Sequence, residues 1–155
     1  MERVVILGPG GAGKSILARR LGGLVGLPVI ELDKHFWTED LRPLPKDQWR
    51  ERLEELTRQP GWIMDGDLGP YDVLEPRLRA ADTVVLLDFP RWRCVFRSLR
   101  RSRERLDYWR WLLTWRRRSR PRLIAAIARD ADLAVVKTLA SPGAVDAWLR
   151  TLTSS

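Results

Sequence analysis

The sequence predicts an α/β protein whose core is a five-stranded parallel sheet with helices on both faces. Strand-like and helix-like segments alternate through all 155 residues, which is typical of parallel strands joined by crossover helices. Three strand-like segments end in an aspartate, at Asp33, Asp65 and Asp88. Ligands of open parallel sheets bind beyond the carboxyl ends of the strands. The length suits a single domain over residues 1–155 with a sizeable core.

The residues after the first strand (Val4 to Leu7) are the most informative of the chain. They read GPGGAGKS and match the phosphate-loop pattern G-x-x-x-x-G-K-[S/T]. Glycines let backbone N–H groups curve around an anion. Lys14 places a cation on the β- and γ-phosphates, and Ser15 offers Mg²⁺ a hydroxyl ligand. The predicted ligands of a nucleoside triphosphate are Gly8, Gly10, Gly11, Ala12, Gly13, Lys14 and Ser15.

The other elements follow from apolar periodicity and from chain-breaking residues. Pro76 is expected to kink or interrupt a short helix, and Pro121 to begin one. Two further apolar stripes at helical spacing run through 92–99 and 108–115. Helices are expected at 15–25, 46–59, 71–79, 121–129 and 144–152, and strands at 27–32, 62–64, 83–87 and 133–136.

Composition excludes several classes of protein. A lone Cys94 permits no internal disulfide or cysteine-based zinc site, and a lone His35 disfavours a histidine-based triad. The apolar runs are too short to cross a membrane, and no signal peptide precedes the first strand. We therefore expect a cytoplasmic protein without a membrane partner.

The net charge of +8 comes from one segment. Between Arg91 and Arg122 there are 13 arginines and two acids, a local charge of +11 that leaves −3 for the remainder. This segment has three interpretations: a lid whose arginines meet phosphate, a plain amphipathic surface, or a nucleic-acid surface that pairs arginine with tryptophan. The lid is the favoured interpretation, and the nucleic-acid surface is the least favoured. The spacing of 108, 111, 112 and 115 predicts that most aromatics there pack inward.

The aspartates at the strand ends can hold metal-bound water or accept a proton from a phosphoryl acceptor. The alternative for each is a helix cap or a turn. We favour the functional interpretation for Asp33 and Asp65, whereas a cap is equally favoured for Asp88.

The chain resembles the adenylate-kinase-like P-loop kinases in its phosphate loop, in Asp65-Gly66 and in the strand Val84–Asp88 followed by Phe89-Pro90 and an arginine-rich segment. Three segments resemble more closely a small bacterial family known as DNA topology modulation proteins. They are Leu32-Asp33 with Phe36-Trp37, Asp65-Gly66-Asp67-Leu68-Gly69, and residues 115–122, which read WRRRSRPR.

The resemblance implies a P-loop NTPase fold of strand order 2-3-1-4-5, with ATP on the loop and a short helical lid within about 91–122. Asp33 would lie near the acceptor or Mg²⁺, and Asp65 would support the metal. Phosphates would be clamped by Arg97 and Arg101 from one side of the lid and by Arg116, Arg117 and Arg120 from the other.

Three positions depart from the family pattern. Asp67-Leu68-Gly69 replaces the commoner Asn-Tyr-Gly, which predicts an altered acceptor contact at Asp67. Ile16 stands where related kinases commonly carry threonine, and 98–106 is shorter than in many members. A reduced lid excludes water less well, so ATP hydrolysis would compete with transfer.

Trp37 either stacks on a base or sugar or packs against the domain.

The sequence thus predicts an ATP- and Mg²⁺-dependent phosphotransferase that acts on a nucleoside, a nucleotide or a similar small molecule. The alternative is a nucleotide-gated regulatory protein that binds DNA or RNA and hydrolyses ATP weakly. The acceptor, the oligomeric state and the preference for ATP over GTP are left open by the sequence.

Overall fold

The computed structural model describes the backbone of residues 1–90 and 106–153 and the side chains of 1–90 and 114–153. Its strands are β1 (Arg3–Leu7), β2 (Val29–Glu31), β3 (Trp62–Asp65), β4 (Thr83–Leu87) and β5 (Val135–Leu139). Its helices are α1 (Lys14–Val25), α2 (Asp33–Phe36), α3 (Lys46–Thr57), α4 (Glu75–Ala80), α5 (Leu106–Asp130) and α6 (Pro142–Thr153), and Gly69–Tyr71 forms a 3₁₀ turn.

The five strands form one parallel sheet in the order β2-β3-β1-β4-β5. Both the parallel sheet and its strand order are confirmed. β1 lies at the centre, where Val5 is paired with Met64 of β3 and with Val84 of β4. The loop after β1 therefore emerges between the ends of two neighbouring strands.

Alternate residues of β1 belong to two separate hydrophobic clusters, one on each face of the sheet. Val5 and Leu7 pack with residues of α3, α4 and α5, whereas Val4 and Ile6 pack with residues of α1 and α6. All four side chains are fully buried, as expected of a central parallel strand covered on both faces. The helices on both sides are thus held against the sheet that positions the phosphate loop.

The two proline predictions have different outcomes. The expected helix 71–79 is interrupted just before Pro76, which lies in the first turn of α4, where its fixed φ is compatible with a helix and no N–H is needed. Pro121 lies inside α5 instead of beginning a new helix. Leu123 and Ile127 beyond it are buried, so packing holds the helix together across the proline.

Other boundaries also differ from the sequence expectation. The expected helix 71–79 is divided into the 3₁₀ turn and α4, and α2 occupies the start of an expected loop. β5 begins at Val135, two residues later than expected, because Leu133 lies exposed in the preceding turn. No helix within the described ranges is both long and apolar enough to cross a membrane.

Candidate phosphate and acceptor site

The phosphate loop lies at the carboxyl edge of the sheet, between β1 and the N-terminus of α1. Gly8 has φ 150°, and a Cβ at this position would lie 2.7 Å from the carbonyl oxygen of Leu87, so no larger residue fits. Gly13 precedes α1 in the left-handed region with φ 90°. The first N–H groups of α1 have no partners within the helix. They and the curved loop form a site for an anion.

Lys14 is the first residue of α1 and folds back over the loop. Its Nζ donates to the carbonyl oxygens of Gly8 at 2.9 Å and Pro9 at 3.0 Å. An ammonium group has three donors, so one remains for a phosphate oxygen. The residues predicted to bind the triphosphate, Gly8 to Ser15, therefore form one continuous structure around a common centre.

Asp65 is the last residue of β3 and Asp33 follows the neighbouring strand β2, on the side of the loop away from β4. The backbone N–H of Leu32 donates to the carbonyl oxygen of Asp65 at 3.0 Å, which ties the two strand ends together. Asp65 is only 6% exposed, and its Oδ1 has no hydrogen-bond partner among the described residues. Such an oxygen is costly unless something else contacts it.

Asp33 is the first residue of α2. The cap position belongs to Leu32, and no side-chain cap bond is found there, so the cap alternative does not account for Asp33. Asp33 is exposed to solvent on one side, but partial desolvation of its carboxyl group raises its pKa, and the Lys14 ammonium lowers the pKa by a smaller amount. The nearby carboxylates Asp65 and Asp72 raise the pKa further. Lys14, Asp33 and Asp65 therefore interact within one site.

Asp67 adds another carboxyl group beside Lys14. Its Oδ1 accepts the N–H of Gly69 at 2.9 Å, while its Oδ2 is buried without a partner in the described part of the chain. Burial raises the pKa of Asp67, and Lys14 opposes that effect. The structure thus brings Asp67 close to the loop lysine, at the position where we expected an altered acceptor contact.

Asp72 organises this region, although sequence reasoning missed it. Its carboxylate is fully buried and accepts from the Trp49 indole at 3.3 Å, from the N–H of Leu68 at 3.3 Å and from the Arg77 guanidinium. Arg77 also donates to the carbonyl oxygen of Gly66 at 3.1 Å. The turn that carries Asp67 is thereby fixed. No spacing or motif in the sequence distinguishes this pair from surface charges.

Arg122 of α5 holds the same turn from outside. Its guanidinium donates to the carbonyl oxygens of Gly69 at 3.1 Å and Asp72 at 3.2 Å. α5 therefore contributes to the acceptor side of the site through a residue that the sequence did not single out.

Two of the predicted lid arginines have a partner other than phosphate. Asp88, directly after β4, accepts from Arg120 at 2.8 and 3.0 Å and from Arg116 at 3.4 Å. The carboxylate of Asp88 is therefore paired with α5 in the described structure, and the helix that it was expected to cap lies outside the described residues. Arg117 is exposed on the same helix. Arg97 and Arg101 lie outside the described residues.

Aromatic side chains divide between core and surface. Trp115 is 1% exposed, which confirms for that residue the inward packing expected of the stripe. The side chains at 108, 111 and 112 lie outside the described residues. Trp37 is 47% exposed, so it does not pack fully into the domain. Burial, with Arg52 and Lys34 nearby, lowers the pKa of His35, which disfavours its charged form.

A cleft of about 240 Å³ opens on the other side of the loop, between α1 and the N-terminus of α6. Arg20 and Asp146 form an ion pair of 2.8 Å at its wall. The cleft adjoins the loop at Ala12 and Gly13. Its apolar walls are formed mainly by Ile16, Leu17, Leu87, Phe89, Pro142 and Val145.

The oxygen atoms of Ser15 and Asp65 are suitable ligands for a magnesium ion that is bound by both the protein and the nucleotide phosphates. Mg²⁺ usually takes one or two protein ligands and completes its shell with water and phosphate oxygens. The Ser15 hydroxyl and the orphaned Oδ1 of Asp65 are donors of the required kind. No cluster of three or more metal-binding side chains occurs in the described part of the chain. A magnesium site that is completed by phosphate and water does not need such a cluster.

The sheet order and the phosphate loop together define the fold of the P-loop kinases. Solved structures of this fold are similar over nearly the whole chain. A gluconokinase from Sinorhizobium meliloti 1021 has a TM-score of 0.58 at 21% identity, with 99% of this chain and 94% of that chain covered. A shikimate kinase from Acinetobacter baumannii, solved with shikimate, has a TM-score of 0.60 at 18% identity, with coverage of 98% and 90%.

A shikimate kinase from Bacteroides thetaiotaomicron is similar to the same degree, with a TM-score of 0.58 at 18% identity and coverage of 99% and 97%. No family model and no curated protein matches the sequence. At these identities the likeness establishes the fold alone.

Proposed function

We propose that this chain is an ATP- and Mg²⁺-dependent phosphotransferase of the nucleoside- and nucleotide-kinase-like class, acting on a small-molecule acceptor. The observation that carries the proposal is that Asp33 and Asp65 lie at the carboxyl ends of neighbouring strands, tied together by the bond from Leu32 to Asp65, at the sheet edge where the phosphate loop and Lys14 begin α1. Phosphoryl transfer requires charge stabilisation on the phosphates and an acceptor oriented in line with them. The site combines groups for both tasks.

Each residue has a role that follows from its chemistry. The loop N–H groups and Lys14 hold the β- and γ-phosphates, and Ser15 and Asp65 are the candidate ligands of Mg²⁺. The metal supplies neutralisation of phosphate charge when it is bound. Asp33 orients the acceptor hydroxyl and accepts its proton. Arg97 and Arg101, with Arg116, Arg117 and Arg120, are the proposed phosphate clamps of the lid.

The cleft between α1 and α6 is the proposed site of the nucleoside. It adjoins the loop, and Phe89 and Pro142 offer apolar surfaces to a flat base. The fold likeness to ATP-using kinases supports ATP as the donor. The cytoplasm, where ATP is abundant, is the proposed location.

Replacement of Lys14 tests the proposal. We expect Lys14→Ala to lower MgATP turnover by about a hundredfold or more, because the charge on the transferring phosphate loses its fixed partner. ADP release is measured by coupled assay across nucleosides, nucleotides, sugars and sugar acids. Lys137→Ala, an exposed lysine on β5, is the matched control and should keep full activity. Turnover that survives in Lys14→Ala would overturn the assignment.

We also propose membership of the DNA topology modulation protein family. The support is the three segments around Asp33, Asp65 and 115–122. In the described structure, the N–H of Leu32 in the first segment donates to the carbonyl oxygen of Asp65 in the second, and Arg122 of the third donates to the carbonyl oxygen of Gly69 in the second. Recovery of these segments together in an alignment of homologues tests the membership.

The basic segment supports a second candidate, a nucleotide-gated protein that binds DNA or RNA. Arg116 and Arg120 are already paired with Asp88, which weakens this candidate. Binding of labelled duplex and single-stranded DNA and RNA over a salt series separates the two functions. Affinity for nucleic acid that persists at physiological salt with a steep salt slope supports the second candidate, and its absence dismisses it.

A further inference from the structure

Two exposed aromatic side chains lie close in sequence to the acids of the acceptor side. Trp37 follows α2, which begins at Asp33, and Tyr71 ends the 3₁₀ turn that follows Asp67. Trp37 is 47% exposed and Tyr71 is 61% exposed. Each of two separate segments thus carries an acid and, four residues later, an exposed aromatic ring. We call Trp37 and Tyr71 together the aromatic rim.

The rings of Trp37 and Tyr71 both lie next to the buried ring of Phe36. Phe36 is 1% exposed, and its centroid lies 5.1 Å from that of Trp37 at an interplanar angle of 77°. Its centroid lies 6.4 Å from that of Tyr71. Phe36 in turn packs on the buried Trp49 at 5.2 Å. The two exposed rings therefore extend the core outward as a supported surface.

Four cations of the described chain near this surface have oxygen partners, while Arg42, next to the Pro43 that pairs with Trp37, is exposed. Lys14 donates to the carbonyl oxygens of Gly8 and Pro9, and its proposed role is on the nucleotide phosphates. Arg77 is buried against Asp72 and the carbonyl oxygen of Gly66, and Arg122 donates to two carbonyls of the adjoining turn. Lys34 pairs with Glu31 at 3.2 Å.

One acidic oxygen here lacks a partner and is not a candidate metal ligand. Oδ2 of Asp67 is buried without a hydrogen-bond partner among the described residues, as is Nε of Arg77, whose other two nitrogens are bonded. A carboxylate or phosphate on the acceptor would be repelled by Asp67 and by Asp33. A hydroxyl group can instead donate to them. The apolar face of a sugar or a base can pack on an aromatic ring.

We propose that the acceptor is an uncharged, hydroxyl-bearing ring compound, a nucleoside or a neutral sugar, that packs a ring face on Trp37 and Tyr71 and presents a hydroxyl group to Asp33. The inference rests on the proposed function. The acceptor oxygen forms a bond to the γ-phosphorus, and the bond from that phosphorus to the bridging oxygen of ADP breaks. ADP leaves with the electron pair, and the hydroxyl proton passes to the Asp33 carboxylate.

Matched pairs that differ in charge test the acceptor class. ADP release with MgATP is compared for adenosine and AMP, thymidine and TMP, and glucose and gluconate. We expect kcat/KM for at least one uncharged member to exceed that of its anionic partner by about tenfold or more. Equal or higher kcat/KM for every anionic partner would overturn the inference and leave the kinase function standing.

Variants of the rim test the contact itself. Trp37→Ala and Tyr71→Ala should each raise KM for the preferred acceptor about tenfold, while KM for MgATP stays unchanged. Trp37→Phe should retain most of the affinity and shows that loss of the ring, not misfolding, is responsible. Leu41→Ala is the control, since Leu41 is 80% exposed after the same helix. Unchanged acceptor KM in folded Trp37→Ala and Tyr71→Ala would contradict the proposal.

Binding without turnover separates the inference from the proposed function. Saturation-transfer NMR measures contact between the protein and the same compounds in the absence of ATP. If the uncharged compounds bind, depend on the rim and yield no Lys14-dependent ADP release, the ligand class is right and the kinase function is wrong. If none of the uncharged compounds binds, the inference fails.

Discussion

At the scale of single residues, the proposed role of Asp33 as the base requires its ionised form, because only a carboxylate can accept the proton of an acceptor hydroxyl. Partial desolvation raises the pKa of Asp33. We therefore expect kcat/KM to fall as the pH drops through a value above the usual range of aspartate. Asp33→Asn should remove this acid limb and lower kcat by about 10²–10⁴-fold, with little change in ATP affinity.

Steady-state kinetics over a pH series, together with MgATP binding by calorimetry, measures both effects. Asp40→Asn, an exposed aspartate after α2, is the control. Equal losses of rate and ATP affinity in Asp33→Asn would indicate a structural or metal-binding role instead.

Asp67 permits a prediction about stability. Burial raises its pKa, so the folded state holds this proton more tightly than the unfolded state does. Ionised Asp67 therefore costs stability, and the cost grows as the pH rises above the ordinary range of aspartate. We expect Asp67→Asn to raise the free energy of unfolding at neutral pH and to change it much less near about pH 4.

Urea unfolding at the two pH values checks the expectation for Asp67. Asparagine also retains an oxygen that can accept the N–H of Gly69. Asp40→Asn should have the same free energy of unfolding as the wild-type protein at each of the two pH values. A loss of stability in Asp67→Asn at neutral pH would show that the ionised carboxylate has a favourable partner.

At the scale of elements, α5 is tied to the end of β4 through Asp88. The carboxylate is buried, whereas the side chains of Arg116 and Arg120 are 43% and 37% exposed, so solvent screens the pair. We expect Asp88→Asn to lower the free energy of unfolding by about 1 kcal/mol. Because Asp88 competes with phosphate for the two guanidinium groups, MgATP should bind more tightly to the variant.

Urea unfolding and titration calorimetry with MgATP measure the two effects of Asp88→Asn. Asp132→Asn, an exposed aspartate before β5, is the control and should alter neither. If Asp88→Asn loses stability without a gain in MgATP affinity, Arg116 and Arg120 serve the structure rather than the nucleotide.

Elements with strong local signals could be predicted from the sequence, whereas those decided by packing could not. The alternation of Val4–Leu7 and Thr83–Leu87 with helical segments indicated the parallel sheet, and the glycine loop fixed where its site lies. Pro121 was misread because proline usually begins a helix. Here Leu123 and Ile127 bury the helix beyond it, and this tertiary contact leaves no mark in the local sequence.

The same limit applies to the site. Lys14, Asp33 and Asp65 were predictable because each follows a strand whose end faces one edge of the sheet. The Asp72–Arg77 pair was not, because its burial and its bond to Trp49 depend on how α3 and α4 pack. The partners of Arg116 and Arg120 were likewise unpredictable, since Asp88 is 32 residues from Arg120.

At the scale of the whole molecule, nucleotide binding should stabilise the fold, because the phosphate loop joins the central strand to α1 and exists only in the folded state. A ligand at about 100 times its Kd adds about 2.7 kcal/mol. For a chain of this size we therefore expect the melting temperature to rise by about 5–10 °C with MgATP. Differential scanning calorimetry measures the shift.

Variants and metal removal identify the source of this stabilisation. Lys14→Ala should lose most of the shift, whereas Lys137→Ala should keep it. ATP with excess EDTA should give a smaller shift than MgATP, because Ser15 and Asp65 then have no metal to bind. An identical melting temperature with and without MgATP in the wild-type protein, at every concentration up to millimolar, would contradict the assignment of Gly8–Ser15 as a nucleotide site.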